Sequence, residues 1–273
     1  MKVAIAINRI KTGAEEAAKK LSEIVNSFKA EAFVADNDDI ALCGADIDLI
    51  ISLGGDGTLL HLAGLLLENG VKTPILGVNY GHTGFMSAID FNKCTADDFK
   101  PYFEEELSVE ERAVITAEIK RKGETVSKSY ALNDFVVLRS RKAHASEYII
   151  SSNGKEISRL LADGIIFSTP TGSTAYSLSA GGPIVDPAVN AIVVTPICAH
   201  NLFAKSMVFS EKTVLKLSVS ERSDSVIYAQ NDGATVTDLI DGDEVVIRTS
   251  SQKVRLVKPN GKSFFDIVNE KLK

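Results

Sequence analysis

The 273-residue chain contains no tryptophan, three cysteines and seven prolines, and it has no long apolar run. Without tryptophan, any flat platform for a base or sugar must come from Tyr, Phe or His. Cys43, Cys94 and Cys198 are odd in number and far apart, with no Cys-x-x-Cys. That excludes a zinc ribbon, argues against a disulfide framework, and fits a reducing cytoplasm. No stretch approaches the ~18 apolar residues of a membrane span. The apolar start, residues 1–7, is ended too soon by Asn8-Arg9 for a signal peptide. Positive charge is not in excess either: 30 Lys+Arg stand against 36 Asp+Glu, a net charge of -6. A protein that coats nucleic acid or an anionic membrane is therefore not expected. With 45% hydrophobic and 24% charged residues, the chain is long enough to bury a core without staples.

The first hundred residues alternate strand and helix signals. Residues 2–7, 31–35, 47–53 and 74–79 read as strands. Residues 12–28 and 58–68 read as helices, the first from the spacing of Ala17, Leu21, Ile24, Val25 and Phe28, the second closed by Asn69-Gly70. Strands separated by helices imply a parallel sheet with crossovers. Residues 95–106 suggest a short helix. From Val109 onward the pattern mostly alternates with period two, and 114–120, 127–138, 147–152, 164–168, 192–196, 214–219, 226–230, 244–248 and 254–257 read as strands. The expectation is an α/β domain over residues 1–100 and a β-rich, two-sheet sandwich-like domain over 101–273. The C-terminal segment is expected to pack back on the first domain.

Two loops carry chemistry. Gly54-Gly55-Asp56-Gly57-Thr58 follows a buried strand and opens a helix. Glycines let backbone approach a ligand, and a helix N-terminus favours phosphate. The loop is not a P-loop, because the Lys after the last Gly is missing. The plainer reading is a tight turn with Asp56 capping the helix. Thr58, however, is already available as a cap, and a carboxylate beside a phosphate site needs a reason: metal binding or proton transfer. The second loop, Thr169-Pro170-Thr171-Gly172-Ser173-Thr174-Ala175-Tyr176-Ser177-Leu178-Ser179-Ala180-Gly181-Gly182-Pro183, is rich in hydroxyls suited to phosphate and ribose. Here the plainer reading is a capped helix with Tyr176 in the core.

These loops occur in order with Asn79-Tyr80-Gly81-His82-Thr83-Gly84-Phe85, Ala131-Leu132-Asn133-Asp134, Asp163-Gly164 and Asn231-Asp232-Gly233. Together they resemble the NAD kinases over nearly the whole chain. The resemblance implies transfer of a phosphoryl group to the adenosine ribose 2′-hydroxyl of NAD. It implies Asp56 as the catalytic base, with Gly55, Gly57 and Thr58 at the phosphates and His61 as a basic neighbour. It places Phe85 in the adenine pocket, and Asn133 and Asp134 at the nicotinamide-side ribose and the adenine region, between subunits. Asp134 stands where Glu is commoner. Asp163 lies in a segment that often reads Arg-x-Asp-Gly, and here Leu161 replaces the Arg. Thr171, Thr174, Ala175, Tyr176, Ser177, Leu178 and Ser179 form the dinucleotide loop, His144 lies near NAD, and Asp232 is a late acidic contact. His82 and His200 stay open.

The resemblance further implies a homo-oligomer, dimer or tetramer, with ATP or polyphosphate as donor. Magnesium would be held through the donor's phosphates, since no His/Cys metal cluster is evident. The rivals are a lipid kinase sharing the first loop and a non-catalytic NAD(H) sensor.

Overall fold

The computed structural model describes residues 1–40, 46–81, 84–140, 145–201, 204–219 and 226–271. Contacts divide the chain into two units: Met1–Arg112 with Lys253–Lys273, and Ala113–Gln252.

In the first unit the strands run, in spatial order, Glu31–Asp36, Lys2–Ile7, Leu49–Gly54, Ile75–Asn79, Val254–Val257 and Val109–Arg112, with Ile89–Asp90 also paired to Ile75–Asn79. Every pairing is parallel except that of Val109–Arg112 with Val254–Val257. The expected parallel sheet thus carries one antiparallel edge. Strand Leu49–Gly54 is buried at every residue, as a parallel strand covered on both faces must be. Helix Ala14–Ser27 lays Ala17, Ala18, Leu21 and Val25 against Val3, Ile5, Leu49 and Ile51 on one face. Helix Asp56–Glu68 covers the other, where Leu59 Cδ1 would lie 3.1 Å from a Cβ placed on Gly77.

The boundary expected after residue 100 falls inside this unit. Phe99 and Tyr102 are buried in its core, and Val109–Arg112 extends its sheet. The expected helix over 95–106 is shorter, a 3-10 turn Ala96–Phe99 followed by helix Lys100–Phe103. The C-terminal segment belongs here too: Lys258 N–H donates to Ser108 O at 2.8 Å, and Asn260 N–H to the Tyr102 hydroxyl at 3.0 Å.

The second unit is a sandwich of two six-stranded sheets among the described residues. One orders Lys155–Ala162, Ser146–Ser152, Leu215–Val219, Glu244–Thr249, Ile115–Arg121 and Glu124–Ala131. The other orders Met207–Ser210, Ala191–Ile197, Gly164–Ser168, Asp134–Arg139, Ile227–Asn231 and Ala234–Leu239. Ile115, Tyr148, Leu217 and Ile247 of the first meet Phe135, Val137, Phe167 and Val194 of the second in one core. Burying each such side chain contributes about 1.5–3 kcal/mol.

The single strand expected over 127–138 is two strands. The chain leaves one sheet at Ala131 and enters the other at Asp134, turning at Leu132-Asn133. Alternation runs through this corner because both strands face the same core. On the outer face of the second sheet, Val136, Ile166 and Ile197 pack with Leu138 and Ala180, so the helical turn Tyr176–Ser179 lies over that face.

Candidate active site

In the first unit, Gly55 is the N-cap of helix Asp56–Glu68, with extended backbone and no side-chain cap. Thr58 does not cap, contrary to expectation. It lies within the first turn, buried, with its N–H bonded to Gly55 O at 2.9 Å. The amides of Asp56 and Gly57 fall among those that a helix start leaves unpaired, and a Cβ on Gly57 would meet nothing within 4 Å.

Asp56 is not a cap either. Its Oδ2 accepts the Phe85 N–H at 2.7 Å and its Oδ1 the Met86 N–H at 3.3 Å. A Cβ at Gly84 would overlap the Asp56 carboxyl group, so only glycine lets that loop close over it. A second loop thus holds the carboxylate away from the helix amides. Half-buried Phe85 enters this arrangement through its backbone. His61 is exposed one turn further along, with Nε2 3.0 Å from Asp38 Oδ1. His82 lies outside the described residues.

In the second unit, the loop over residues 169–183 is built directly on the corner at Leu132-Asn133. Thr169 N–H donates to Asn133 O at 2.8 Å and the Thr169 hydroxyl to Leu132 O at 2.5 Å. Thr169 Oγ1 then accepts the Gly172 N–H at 3.1 Å, starting the 3-10 turn Thr171–Thr174. A Cβ on Gly172 would overlap the Asn133 backbone, so this glycine seats the loop. Ser177 Oγ reaches Thr195 Oγ1 at 2.9 Å, buried. Thr174, Ala175 and Leu178 are half-buried, while Tyr176 and Ser179 are exposed. Tyr176 is therefore not a core residue. Burial raises its hydroxyl pKa, with further contributions from Tyr228, Cys198, Asp134 and Asp163 around it.

Asp232 closes the corner. It sits in left-handed backbone, φ 46°, in an Asp-Gly hairpin turn, and its carboxylate accepts the N–H groups of Leu132, Asn133 and Asp134 at 2.8, 2.8 and 2.9 Å. Burial outweighs those three bonds and leaves its pKa above the ordinary carboxylate value. Asp134 is 5% exposed, and its carboxylate has no hydrogen-bond partner among the described residues. Burial, and then the neighbouring Asp232 charge, push its pKa up to about 7. Asp134, the member of this acid pair without donors, is therefore the readier of the two to take a proton.

Asp163 is half-buried at the end of Lys155–Ala162, with Oδ1 2.7 Å from Arg139 Nε. Leu161 indeed brings no guanidinium, but Arg139 on the neighbouring strand supplies one. His200 is exposed nearby, with its N–H on Leu161 O at 2.9 Å. His144 lies outside the described residues. Arg139, Gly84, Gly172 and Tyr228 were not selected from the sequence. The two glycines lay inside the recognised motifs, whereas Arg139 and Tyr228 carried no local signal, because strand pairing alone brings them here.

A family model for the ATP-NAD kinase N-terminal domain matches residues 7–98, and one for the ATP-NAD kinase C-terminal domain matches residues 132–259. The chain belongs to the NAD kinase family. Among its relatives, the NAD kinase of Thermoanaerobacter sp. (strain X514) is 40% identical over 228 residues, 82% of this chain and 78% of that one. The NAD kinase of Acidobacterium capsulatum is 37% identical over 253 residues, 93% of this chain and 87% of its own length. The fold matches the crystal structure of yeast NADH kinase complexed with NADH, with a TM-score of 0.84 at 24% identity, covering 100% of this chain and 87% of that one. It also matches an NAD kinase from Archaeoglobus fulgidus in complex with ATP, with a TM-score of 0.78 at 24% identity, covering 95% and 94%. Both the N-terminal α/β unit and the β-rich sandwich are thus features of NAD kinases.

Proposed function

We propose that the chain phosphorylates the adenosine-side ribose 2′-hydroxyl of NAD, with ATP as donor, to give NADP. The observation that carries this reading is Asp56: a carboxylate in the first turn of a glycine-rich helix start, held by a second loop instead of capping its own helix. A group so placed serves as a base for a hydroxyl brought to the donor's phosphate. The NAD kinase relatives support the reaction, and the ATP complex of the Archaeoglobus enzyme supports the donor.

In this reading Asp56 takes the 2′-hydroxyl proton as the oxygen attacks the γ-phosphorus. The first-turn amides of helix Asp56–Glu68 face the donor's negative charge. Asn133, Asp134 and residues 171–179 hold the dinucleotide, and Asp163 and Arg139 fix the sheet end beside them. Positioning supplies about 7–11 kcal/mol of the barrier and the base about 10²–10⁴-fold. No group of three or more His, Cys, Asp or Glu among the described residues could hold a metal ion. Magnesium is read as part of the substrate, held through the nucleotide's phosphates.

The test is direct. Purified protein with NAD, ATP and magnesium should yield a product that an NADP-specific dehydrogenase accepts. The NAD analogue with a 2′-deoxyadenosine should bind yet give no phosphorylated product. Phosphate on a 3′ oxygen, or on the nicotinamide ribose, would overturn the role given to Asp56.

The same reading makes the protein a homo-oligomer of the cytoplasm. Among the described residues no helix is long and apolar enough to cross a membrane. Ile157 and Leu161 on one sheet edge and Val208 on another are 40%, 46% and 55% exposed, a surface that a second copy would cover. Light scattering during turnover should give a mass above 29.3 kDa; an active species of that mass contradicts it.

A further inference from the structure

The loop after the first strand carries a side chain that neither the sequence pattern nor the family resemblance singled out. Lys11 lies between strand Lys2–Ile7 and helix Ala14–Ser27, and its Nζ is 3.3 Å from Thr58 Oγ1. The loop is closed on itself, with Lys11 N–H on Asn8 O at 3.1 Å and Ala14 N–H on Lys11 O at 3.2 Å. It is also wedged in place. Gly13 has φ 79°, and a Cβ there would lie 2.6 Å from the Tyr80 hydroxyl, while the Tyr80 N–H is bonded to Gly54 O at 3.1 Å. Thr58 is fixed from behind, its carbonyl accepting the amide of buried Asn37 at 3.4 Å. Three loops therefore set where the ammonium sits.

The topology gives that place its meaning. From Lys2–Ile7 the chain crosses to Glu31–Asp36 on one side, and from Leu49–Gly54 it crosses to Ile75–Asn79 on the other. The order reverses between the two central strands, and in open parallel sheets ligands bind in the crevice outside the carboxyl ends at such a switch point. The loops at this point are residues 8–13 and 54–57, and the Lys11–Thr58 contact joins them. Lys11 makes no ion pair with a carboxylate among the described residues; its ammonium meets only a neutral hydroxyl. A cation beside a helix N-terminus opposes the helix dipole. It is at home there once an anion arrives between them.

We infer that Lys11 is the donor-phosphate lysine of this enzyme, the charge that the Gly-Gly-Asp-Gly-Thr loop lacks, supplied from the neighbouring strand's loop. The inference rests on the reading that a nucleoside triphosphate is the donor. In the transfer, the bond from the γ-phosphorus to the β,γ-bridging oxygen breaks and the bond to the ribose 2′-oxygen forms. Asp56 receives the hydroxyl proton, and the diphosphate leaves with the electron pair. Lys11 keeps its proton throughout, binds non-bridging oxygens and offsets the charge that builds on the leaving diphosphate. Thr58 is its resting partner.

The experiment compares wild type with Lys11→Met, which keeps the stem without the charge, and Lys11→Arg. Donor and NAD are each varied at saturation of the other, and calorimetry measures direct binding of ADP and AMP. Lys11→Met should lose about 10–150-fold in kcat/KM for ATP, the loss expected of a charge-assisted hydrogen bond. KM for NAD should stay within about twofold of wild type. ADP affinity should fall while AMP affinity holds, and Lys11→Arg should recover part of the loss. Unchanged kcat/KM for ATP and unchanged ADP affinity overturn the assignment, as does an equal weakening of ADP and AMP. A wild type that forms no NADP from ATP would instead defeat the donor reading, and the ADP measurement would still decide Lys11.

Discussion

Asp56→Asn is expected to fold, to bind NAD and to turn over about 10²–10⁴-fold more slowly. Asn keeps the outline of the side chain and one oxygen for the Phe85 N–H, now 2.7 Å from the carboxylate. Its amide group, though, would face the Met86 N–H, a donor against a donor, so a modest stability cost of about 1–3 kcal/mol accompanies the change. Melting temperature and turnover therefore separate: a small loss in the first, a large one in the second. Gly84→Ala should give the same kinetic lesion without touching the carboxylate chemically, because the new methyl displaces Asp56 from both N–H groups. Rates of NADP formation for the two purified variants check this. Near-normal turnover in Asp56→Asn would remove the general base from the mechanism.

Asp134 gives the second large effect, with opposite signs for stability and for binding. In the folded protein its pKa is raised from 3.8 to about 7. The native state thus holds the proton more tightly than the unfolded chain. Below both values the proton is on in both states, and the residue costs nothing through titration. Between about pH 4 and 7 stability falls as pH rises, and above pH 7 the full penalty is present, about 4 kcal/mol at most. Asp134→Asn removes the titration. The variant should melt higher than wild type at pH 8 and close to it at pH 4, flattening the profile across that window. Asp134→Ala, in turn, should weaken NAD binding about 10–150-fold at pH 8, where the carboxylate is largely ionised and its hydrogen bond is one to a charged group. Melting curves across pH and calorimetry with NAD test the two halves. A wild-type profile that rises from pH 4 to 8 would contradict the buried acid, and unchanged NAD affinity in Asp134→Ala would make the residue structural only.

Much of the first unit was legible because its signals are local. A buried run such as Leu49–Gly54, a glycine cluster and then an apolar helix leave one arrangement open, strand to loop to helix. The bend at Leu132-Asn133 was hidden, since alternation continues across it while the strand changes sheets. The membership of residues 253–273 in the first unit could be guessed but not located, because Val254–Val257 finds its partners more than a hundred residues back in sequence. The two dense motifs, around Asp56 and over residues 171–179, were readable as loops that open a helical turn from composition and order alone. Thr58 as a cap was misread: a hydroxyl at a helix start can turn to a lysine from another loop, and nothing within the local sequence reveals that lysine. Arg139 beside Asp163 was illegible for the same reason, since their meeting depends on which strands become neighbours.

The carboxylate of Asp232 bonds amides 98 to 100 residues earlier in the chain. Contacts so distant in sequence form only after a large loop has closed, which makes them late events in folding. During synthesis, a chain that has not yet emerged past residue 232 lacks the side chain that ties down Leu132, Asn133 and Asp134. The corner beneath the 169–183 loop is therefore anchored only once residue 232 has emerged, and a shorter nascent fragment containing every residue of that loop would still have no anchored corner to seat it on. Anchoring of that corner in the growing chain would begin as a step, at the length that releases the Asp-Gly hairpin from the ribosome.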